Sequence, residues 1–569
     1  MKQFQKYGLA AAVATASASA LAVSGANTER SDQNLGDAAI VPYYTTTGGK
    51  VTGVHIINTT DATQVVKFRM RRQKDSRDAM DFNIIMSPKD EWVTSIQTNA
   101  SPSEGKGGVK LITDDTTCTA PIFDADGTLA EIPATYAEGA EEGYIEIIGM
   151  GQPTSETAAI AVSALHGKAA GAAPADCASV EYNFLRVTDA ELAAGVTAGK
   201  AAVGTHDSET TNQGAKGTAT TSSSYVTTYG DTPDRALKVS WFIRDADGGL
   251  EVGGNAVHIE GFATDAMMTN QEQLVFNADG LMEYDPFNFE LPNLNQGSYP
   301  ASGSRVDNFS APSALLFNKV RNVLGVDAIH NEWSDKTTDT STVDTDWVVT
   351  LPGQYLSEDP FCVIYAGYPV DGKSCSAAAT ALYNTEIPLY LVKDSASQFA
   401  LYDREETVLV DQAETPPAGL DFSPSNTETA AKVSATIPYE VNVLSIGRTD
   451  DEAGVLESAN AQTFTLPTAA DDVENGWMSL TINPKGNGNQ FYVTGNGTDQ
   501  ATEKGVGIAG QGTATQSYGS WNTATGDTVV LGMAVWKREF GNNAAAAYGR
   551  AVEHSYTLSS GNDAVARSQ

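Results

Sequence analysis

Three short acidic loops are the stretches of this chain whose residue types and spacing suit chemistry. Asp124-Ala-Asp126-Gly127 with Glu131, Asp245-Ala-Asp247-Gly248 with Glu251, and Asn277-Ala-Asp279-Gly280 with Glu283 share one form. Each has two oxygen-bearing side chains one residue apart, then a glycine, then a further carboxylate. Alternate acidic side chains in a tight loop converge on one point, and Ca²⁺ takes about six to eight oxygens. The loops lack the closing glutamate of an EF-hand. Asp-Gly is equally the favoured hairpin turn, where an Asx side chain bonds its own backbone. Calcium loop and plain turn are therefore both open for all three.

The four cysteines, Cys118, Cys177, Cys362 and Cys375, are the next candidates. They show no C-x-x-C spacing, and no histidines cluster beside them, so disulfides are preferred to a metal site. Three connectivities exist. Nearest-neighbour pairing, Cys118–Cys177 and Cys362–Cys375, is favoured because it keeps each bridge within one domain. The shorter loop is worth about 3 kcal/mol in the chain-entropy account.

Catalytic patterns are otherwise missing. The chain has no G-x-S-x-G elbow and no H-E-x-x-H, and Gly195 to Lys200 is one residue short of a phosphate loop. The six histidines (His55, His166, His206, His258, His330 and His554) stand apart, with no acid or nucleophile at a motif spacing. His55 and His258 lie within strand patterns, where a structural imidazole is expected. No enzyme is expected. Tryptophans and tyrosines such as Trp92, Trp241, Trp347, Tyr43 and Tyr44 fall in or beside strands, which predicts core packing. An exposed aromatic pair would instead suit a carbohydrate.

The elements that must carry these residues are strands. Between Gly36 and Ile96 five apolar or alternating runs, Ala39–Thr45, Val51–Ile57, Val65–Met70, Phe82–Met86 and Trp92–Ile96, are separated by Gly, Asn, Asp and Thr. Period-2 runs between such punctuation predict antiparallel strands joined by tight turns. The expected fold class is mainly β: a multidomain antiparallel β-sandwich (Ig-like) architecture with long loops and one or two short helices. Further strands are expected at Ala158–Leu165 and Tyr182–Val187. Helices are expected after the capping box at Thr188 and over 310–324. Composition shifts divide the chain into 27–195, a Thr/Gly/Ser-rich linker or loop at 196–235, a middle β domain 236–412 and a C-terminal β domain 413–569.

Residues 1–26 read as a secretory signal peptide: Lys2 and Lys6, an Ala-rich apolar run, then Ser24-Gly25-Ala26. Its removal leaves 33 basic residues against 71 acidic ones, a net charge of −38 (33 − 71). That balance excludes nonspecific nucleic-acid binding, which needs a basic footprint. It favours screening or bridging by cations wherever acidic surfaces meet.

GDAAIVPYYTTTGGKVTGVHIINTT (Gly36 to Thr60) and DFNIIMSPKDEWVTSI (Asp81 to Ile96) resemble segments of exported cell-surface proteins of marine gammaproteobacteria. So do TDWVVTLPGQY (Thr345 to Tyr355), LYDREE (Leu401 to Glu406) and YEVNVLSI (Tyr439 to Ile446). The chain is similar to their surface-layer (S-layer) proteins. That resemblance implies self-assembly into a two-dimensional lattice outside the outer membrane, and a place in the biofilm matrix. With the charge, it implies this chain itself as partner, and contact with lipopolysaccharide or surface polysaccharide through divalent cations. A secreted glycan-binding adhesin is the alternative, and a secreted hydrolase a further one.

Overall fold

The computed structural model describes residues 28–74, 76, 78–123, 128–169, 171–184, 229–245, 248–263, 266–267, 273–276, 282–285, 292–294, 320, 323–338, 340–352, 397–403, 408–410, 434–435, 439–447, 454–466, 473–481, 528–541 and 546–558. The segment expected to be a signal peptide and the helix expected after Thr188 lie outside them, as do Cys362 and Cys375. Of the helix expected over 310–324, Val320, Val323 and Leu324 are described, and they are helical. Among the described residues no helix is long and apolar enough to cross a membrane.

The fold is mainly β, arranged as antiparallel sandwiches. The alternating segments of the N-terminal part become β1 (Glu29–Arg30), β2 (Ala38–Thr45), β3 (Val51–Asn58), β4 (Gln64–Arg72), β5 (Asp78–Met86), β6 (Glu91–Thr98) and β7 (Lys106–Ile112). After them come β8 (Cys118–Ala120), β9 (Leu129–Pro133) and β10 (Glu142–Pro153). A later stretch supplies β11 (Tyr229–Gly230), β12 (Leu237–Asp245), β13 (Leu250–Asn255) and β14 (Val257–Glu260). One sheet runs β1-β14-β2-β10-β4-β5-β8, with β11 on β10, and the facing sheet runs β13-β12-β3-β6-β7-β9. Ile40, Phe68, Phe82, Trp92, Ile96 and Trp241 are packed within the core of this sandwich.

The turns do not all make hairpins. Gly48-Gly49 and Asn58–Ala62, like the bend after β5, carry the chain from one sheet to the other, because β2, β4 and β5 belong to the first sheet and β3 and β6 to the second. Alternation reports that a strand has two faces, not which sheet it joins.

Two expected strands are helical. Ala159–Ala164 forms α1, and Tyr182 to Phe184 ends α2 (Cys177–Phe184). The run AIAVSA is short, apolar and rich in alanine, the residue that loses least on entering a helix. Both helices pack with Val65, Ile85, Cys118 and Met150. The expected Cys118–Cys177 disulfide is present, with the two Cα atoms 5.1 Å apart, and it staples α2 to β8.

The first sheet is buried on both faces. On one, alternate residues of β4 (Lys67, Arg69 and Arg71) meet Asp78 and Asp81 of β5 and Glu146 of β10. Lys67 lies 2.8 Å from Asp81, Arg69 3.0 Å and Arg71 2.8 Å from Asp78, and Arg71 Nε 3.4 Å from Glu146. Among the described residues three cations face three carboxylates, the kind of pairing that charges taken out of water require.

A separate hairpin, β15 (Gln273–Phe276) and β16 (Met282–Asp285), stands between the sandwiches in sequence. The second sandwich is assembled from β17 (Gly325–Ser334), β18 (Lys336–Thr337), β19 (Ser341–Thr350), β20 (Ser397–Asp403), β21 (Val408–Val410) and β22 (Ser434–Ala435). It also takes β23 (Val441–Gly447), β24 (Gln462–Thr465), β25 (Asn475–Thr481), β26 (Thr528–Val529), β27 (Leu531–Phe540), β28 (Tyr548–Glu553) and β29 (Ser555–Leu558). Its sheets are β21-β20-β25-β17-β26, with β22 and β29 attached, and β24-β23-β19-β27-β28, with β18 attached. Only the β23–β24 pair is parallel among the described pairs of this sandwich. Trp333, Trp347, Met478 and Leu480 lie in its core.

The sheets therefore divide elsewhere than the composition shifts. Residues 237–260 complete the first sandwich from beyond the expected linker. Strands on both sides of 412 share the sheets of the second.

Candidate functional site: the joint between the two sandwiches

The three acidic loops come first, because the sequence singled them out. Asp124, Asp126, Asp247, Asn277 and Asp279 lie outside the described residues. Glu131 is in β9, where its Oε1 accepts bonds from Asn99 Nδ2 at 2.5 Å and the Ser103 amide at 3.0 Å. Hydrogen bonds from Ser103 hold its carboxyl below the usual range. Asp245 accepts the Gly248 amide at 2.7 Å, an Asx bond in the β12–β13 hairpin, and Glu251 lies 3.7 Å from Arg244 on the neighbouring strand. Glu283 sits opposite Val275 in the β15–β16 hairpin. Among the described residues no three His, Cys, Asp or Glu side chains gather as a metal-binding group.

One histidine does meet an acid and hydroxyls. His166 Nδ1 lies 3.2 Å from Ser87 Oγ and 3.6 Å from Asp90 Oδ2, and Nε2 lies 3.4 Å from Thr116 Oγ1. Ser87 and Asp90 crowd the same ring nitrogen, so the imidazole does not stand between them as a relay between acid and nucleophile requires. Asp90 also accepts the Ser87 amide at 3.0 Å and Thr117 Oγ1 at 3.2 Å. The cluster clasps the segment after α1 to the β5–β6 bend. His258 and His554 are structural: Val239 donates to His258 Nε2 at 2.8 Å, and His554 Nε2 lies 2.9 Å from the Val348 carbonyl. Burial lowers their pKa values to about 4 and about 3, so both rings are neutral at pH 7.

A further polar arrangement, among the described residues, is one that no motif announces. Residues 454–460, between β23 and β24, form a peg whose contacts reach the rim of the first sandwich. Ser458 Oγ donates to Glu142 Oε2 at 2.8 Å, and Tyr43 OH donates to Glu142 Oε1 at 2.7 Å. Asn460 Nδ2 donates to Gln73 Oε1 at 2.6 Å, and the Val441 amide donates to the Gln73 carbonyl at 3.0 Å. Lys50, buried at 1% exposure, reaches Glu457 Oε2 at 3.0 Å. The Leu456 amide donates to Asp346 Oδ2 at 2.7 Å. Away from the peg, Thr350 Oγ1 donates to the Pro42 carbonyl at 2.6 Å.

Backbone geometry fits this contact. Gly48 has φ +61°, and a Cβ there would lie 1.9 Å from Glu457 Oε2. Glu457 itself sits at φ 52°, which few side-chain-bearing residues adopt. A side chain at Gly454 would strike the Asp346 carboxylate and Ser445 Oγ.

Apolar contact continues through the joint. Val455, Leu456, Val348, Val443 and Met533 of the second sandwich belong to the same core as Tyr43, Tyr44 and Ile145 of the first. Beside it, Leu250 and Val252 of β13 fill the space over Gly549 of β28, where a Cβ would come within 2.4 Å of Leu250 Cδ1. Arg30 of β1 pairs with Glu553 and lies 4.5 Å over the Tyr556 ring. Burial raises the Glu142 carboxyl, and Asp346 is pushed up to about 6, again chiefly by burial. Relative motion of the two sandwiches would expose an apolar core and buried carboxylates together, so they move as one body.

No protein family, curated protein or solved structure matches the chain.

Proposed function

We propose that the chain is a structural surface-layer subunit. It is exported, assembles with copies of itself into a two-dimensional lattice on the outer surface of a Gram-negative cell, and contributes to the biofilm matrix. The joint is the observation that carries this reading. Two sandwiches locked through a continuous core and a hydrogen-bonded peg make a stiff block, and a lattice needs blocks that hold their contacts at fixed angles. Likeness of five sequence segments to surface-layer proteins points the same way. Without residues 1–26 a net charge of −38 (33 − 71) makes subunits repel, so assembly depends on salt or on Ca²⁺ bridging acidic exteriors. The same bridging would attach the lattice to lipopolysaccharide or surface polysaccharide.

Negative-stain microscopy of the purified chain, with and without Ca²⁺, tests the proposal. Regular sheets that a chelator disperses into folded monomers are expected. Protein that forms no regular array at any ionic strength overturns the reading. A glycan-binding adhesin is the second reading, favoured by the 41% exposed Trp477, which makes an edge contact with His330 at 6.3 Å. Retention on a polysaccharide column, lost in Trp477→Ala, would support it.

A further inference from the structure

The sheet β13-β12-β3-β6-β7-β9 has one face in the core and one turned outward. Pairing fixes which residues share the outer face: Lys238, Ser240, Phe242 and Arg244 of β12 stand opposite Ile57, His55, Gly53 and Val51 of β3. Val93 of β6 stands opposite His55, and Ser95 opposite both Gly53 and Ile112 of β7. The burial patterns agree, with these positions open or half-open, apart from Gly53 under the Phe242 ring, and their sequence neighbours buried.

The charge on this face departs from that of the chain. Lys106, Lys110, Lys238 and Arg244 are balanced by Glu91, Glu131, Glu251 and, beside Gly108, Glu141, so the face is near neutral, whereas the whole chain carries 35 basic residues against 71 acidic ones. Half-exposed Val51, Ile57, Val93, Ile112 and Phe242 lie among them. At its centre the Phe242 ring lies across Gly53, where a Cβ would be 2.1 Å from the ring.

We infer that this outer face docks onto an acidic surface of a second copy of the chain. The inference rests on the lattice reading and names the contact it would use. Two copies with strong like charge approach most easily where one presents a near-neutral surface. The apolar side chains suit a protein surface. A polyanion would call for an excess of cations. Six strands about 4.8 Å apart, together 43 residues long at about 3.4 Å per residue, give a face of about 700 Å². That is somewhat below the about 800 Å² per partner of a standard interface, so one contact is weak and repetition in an array makes it firm. A near-neutral face on an acidic one is a heterologous contact, which propagates when the rotation does not close.

The test compares wild type with Lys106→Glu/Lys110→Glu/Lys238→Glu by sedimentation velocity and negative stain at one salt concentration, with the three Lys→Gln changes as a milder set. Circular dichroism and melting confirm folding. Association requiring at least tenfold more protein in the Glu variant, with the Gln variant between, is expected. Arrays from both variants that equal wild type overturn this inference and leave the lattice reading standing. Soluble pairing that the variants lose, without arrays from wild type, supports this contact and overturns the lattice. A wild-type chain that stays monomeric overturns both. Variants that assemble normally but elute early from an anionic polysaccharide column replace the second copy with polysaccharide.

Discussion

Ser458 and Glu142, 316 residues apart, share a 2.8 Å hydrogen bond, and Tyr43 holds the other oxygen of the same carboxylate. Glu142 is thus the shared acceptor on which a loop of the second sandwich and a strand of the first converge. Glu142→Ala leaves the fully buried Tyr43 hydroxyl without this acceptor and removes the Ser458 contact. A loss of about 2 to 4 kcal/mol is expected in denaturant unfolding, with Glu142→Gln losing less. A melting curve unchanged in Glu142→Ala would refute the role given to the joint.

Gly48 and Gly49 separate two causes of glycine dependence. Both have positive φ, 61° and 78°, but only Gly48 faces another residue at close range. Gly49→Ala is expected to cost about 1 kcal/mol, the backbone penalty alone. Gly48→Ala carries that penalty and also displaces Glu457 from the buried Lys50 ammonium, so it should cost at least twice as much. Equal losses would show that the Glu457 contact contributes nothing.

Asp37 sets the alkaline side of the stability profile. Its carboxylate accepts the Phe262 amide at 3.0 Å and the Ala263 amide at 2.6 Å, yet burial raises its pKa from 3.8 to about 8. A carboxyl raised on folding binds its proton more tightly in the native state. Its contribution is complete below 3.8 and is lost as pH rises through about 8. From pH 6.5 to 8 the melting temperature should therefore fall, and Asp37→Asn should flatten that slope. Below pH 6.5 the buried, neutral His258 and His554 act oppositely: unfolding lets them take up protons, so stability is lost as acid is added. Melting temperatures read every half pH unit in both proteins check the sign.

Reduction of Cys118–Cys177 releases a 59-residue span. The chain-entropy account puts the loss at about 4 kcal/mol. Cys118→Ser/Cys177→Ser should melt lower, and limited proteolysis should cut first within 154–184, where the staple holds α2. Cleavage elsewhere at equal rate would count against a local effect.

Much of the first sandwich was legible in its residues. The alternating runs from Ala38 to Thr98 are strands, and the Cys118–Cys177 pairing followed from nearest-neighbour reasoning. What alternation cannot say is what covers each face. Lys67, Arg69 and Arg71 occupy every second position of β4, a pattern that suggests solvent, yet all three are buried against carboxylates of adjacent strands. AIAVSA carries six residues of apolar and small side chains, too few to tell a strand from a helix. The joint left no trace of this kind. Gly48 stands out only as a turn residue, because Glu457, which crowds it, is 409 residues further on. Ser458 and Asn460 look like ordinary loop residues. Contacts at such separations have no period, and one sequence without its relatives offers no covariation to reveal them.

Strand order also governs when the chain can finish folding. The first sandwich takes β12 and β14 from residues 237–260, so its sheets stay open until that stretch has followed β2 to β10 off the ribosome. In the second, β27 lies between β19 and β28, so a central position is filled by nearly the last strand to emerge. At about 5 to 20 residues per second of synthesis, the vacancy in each sheet lasts for several seconds. During that interval unpaired strand edges face the surroundings.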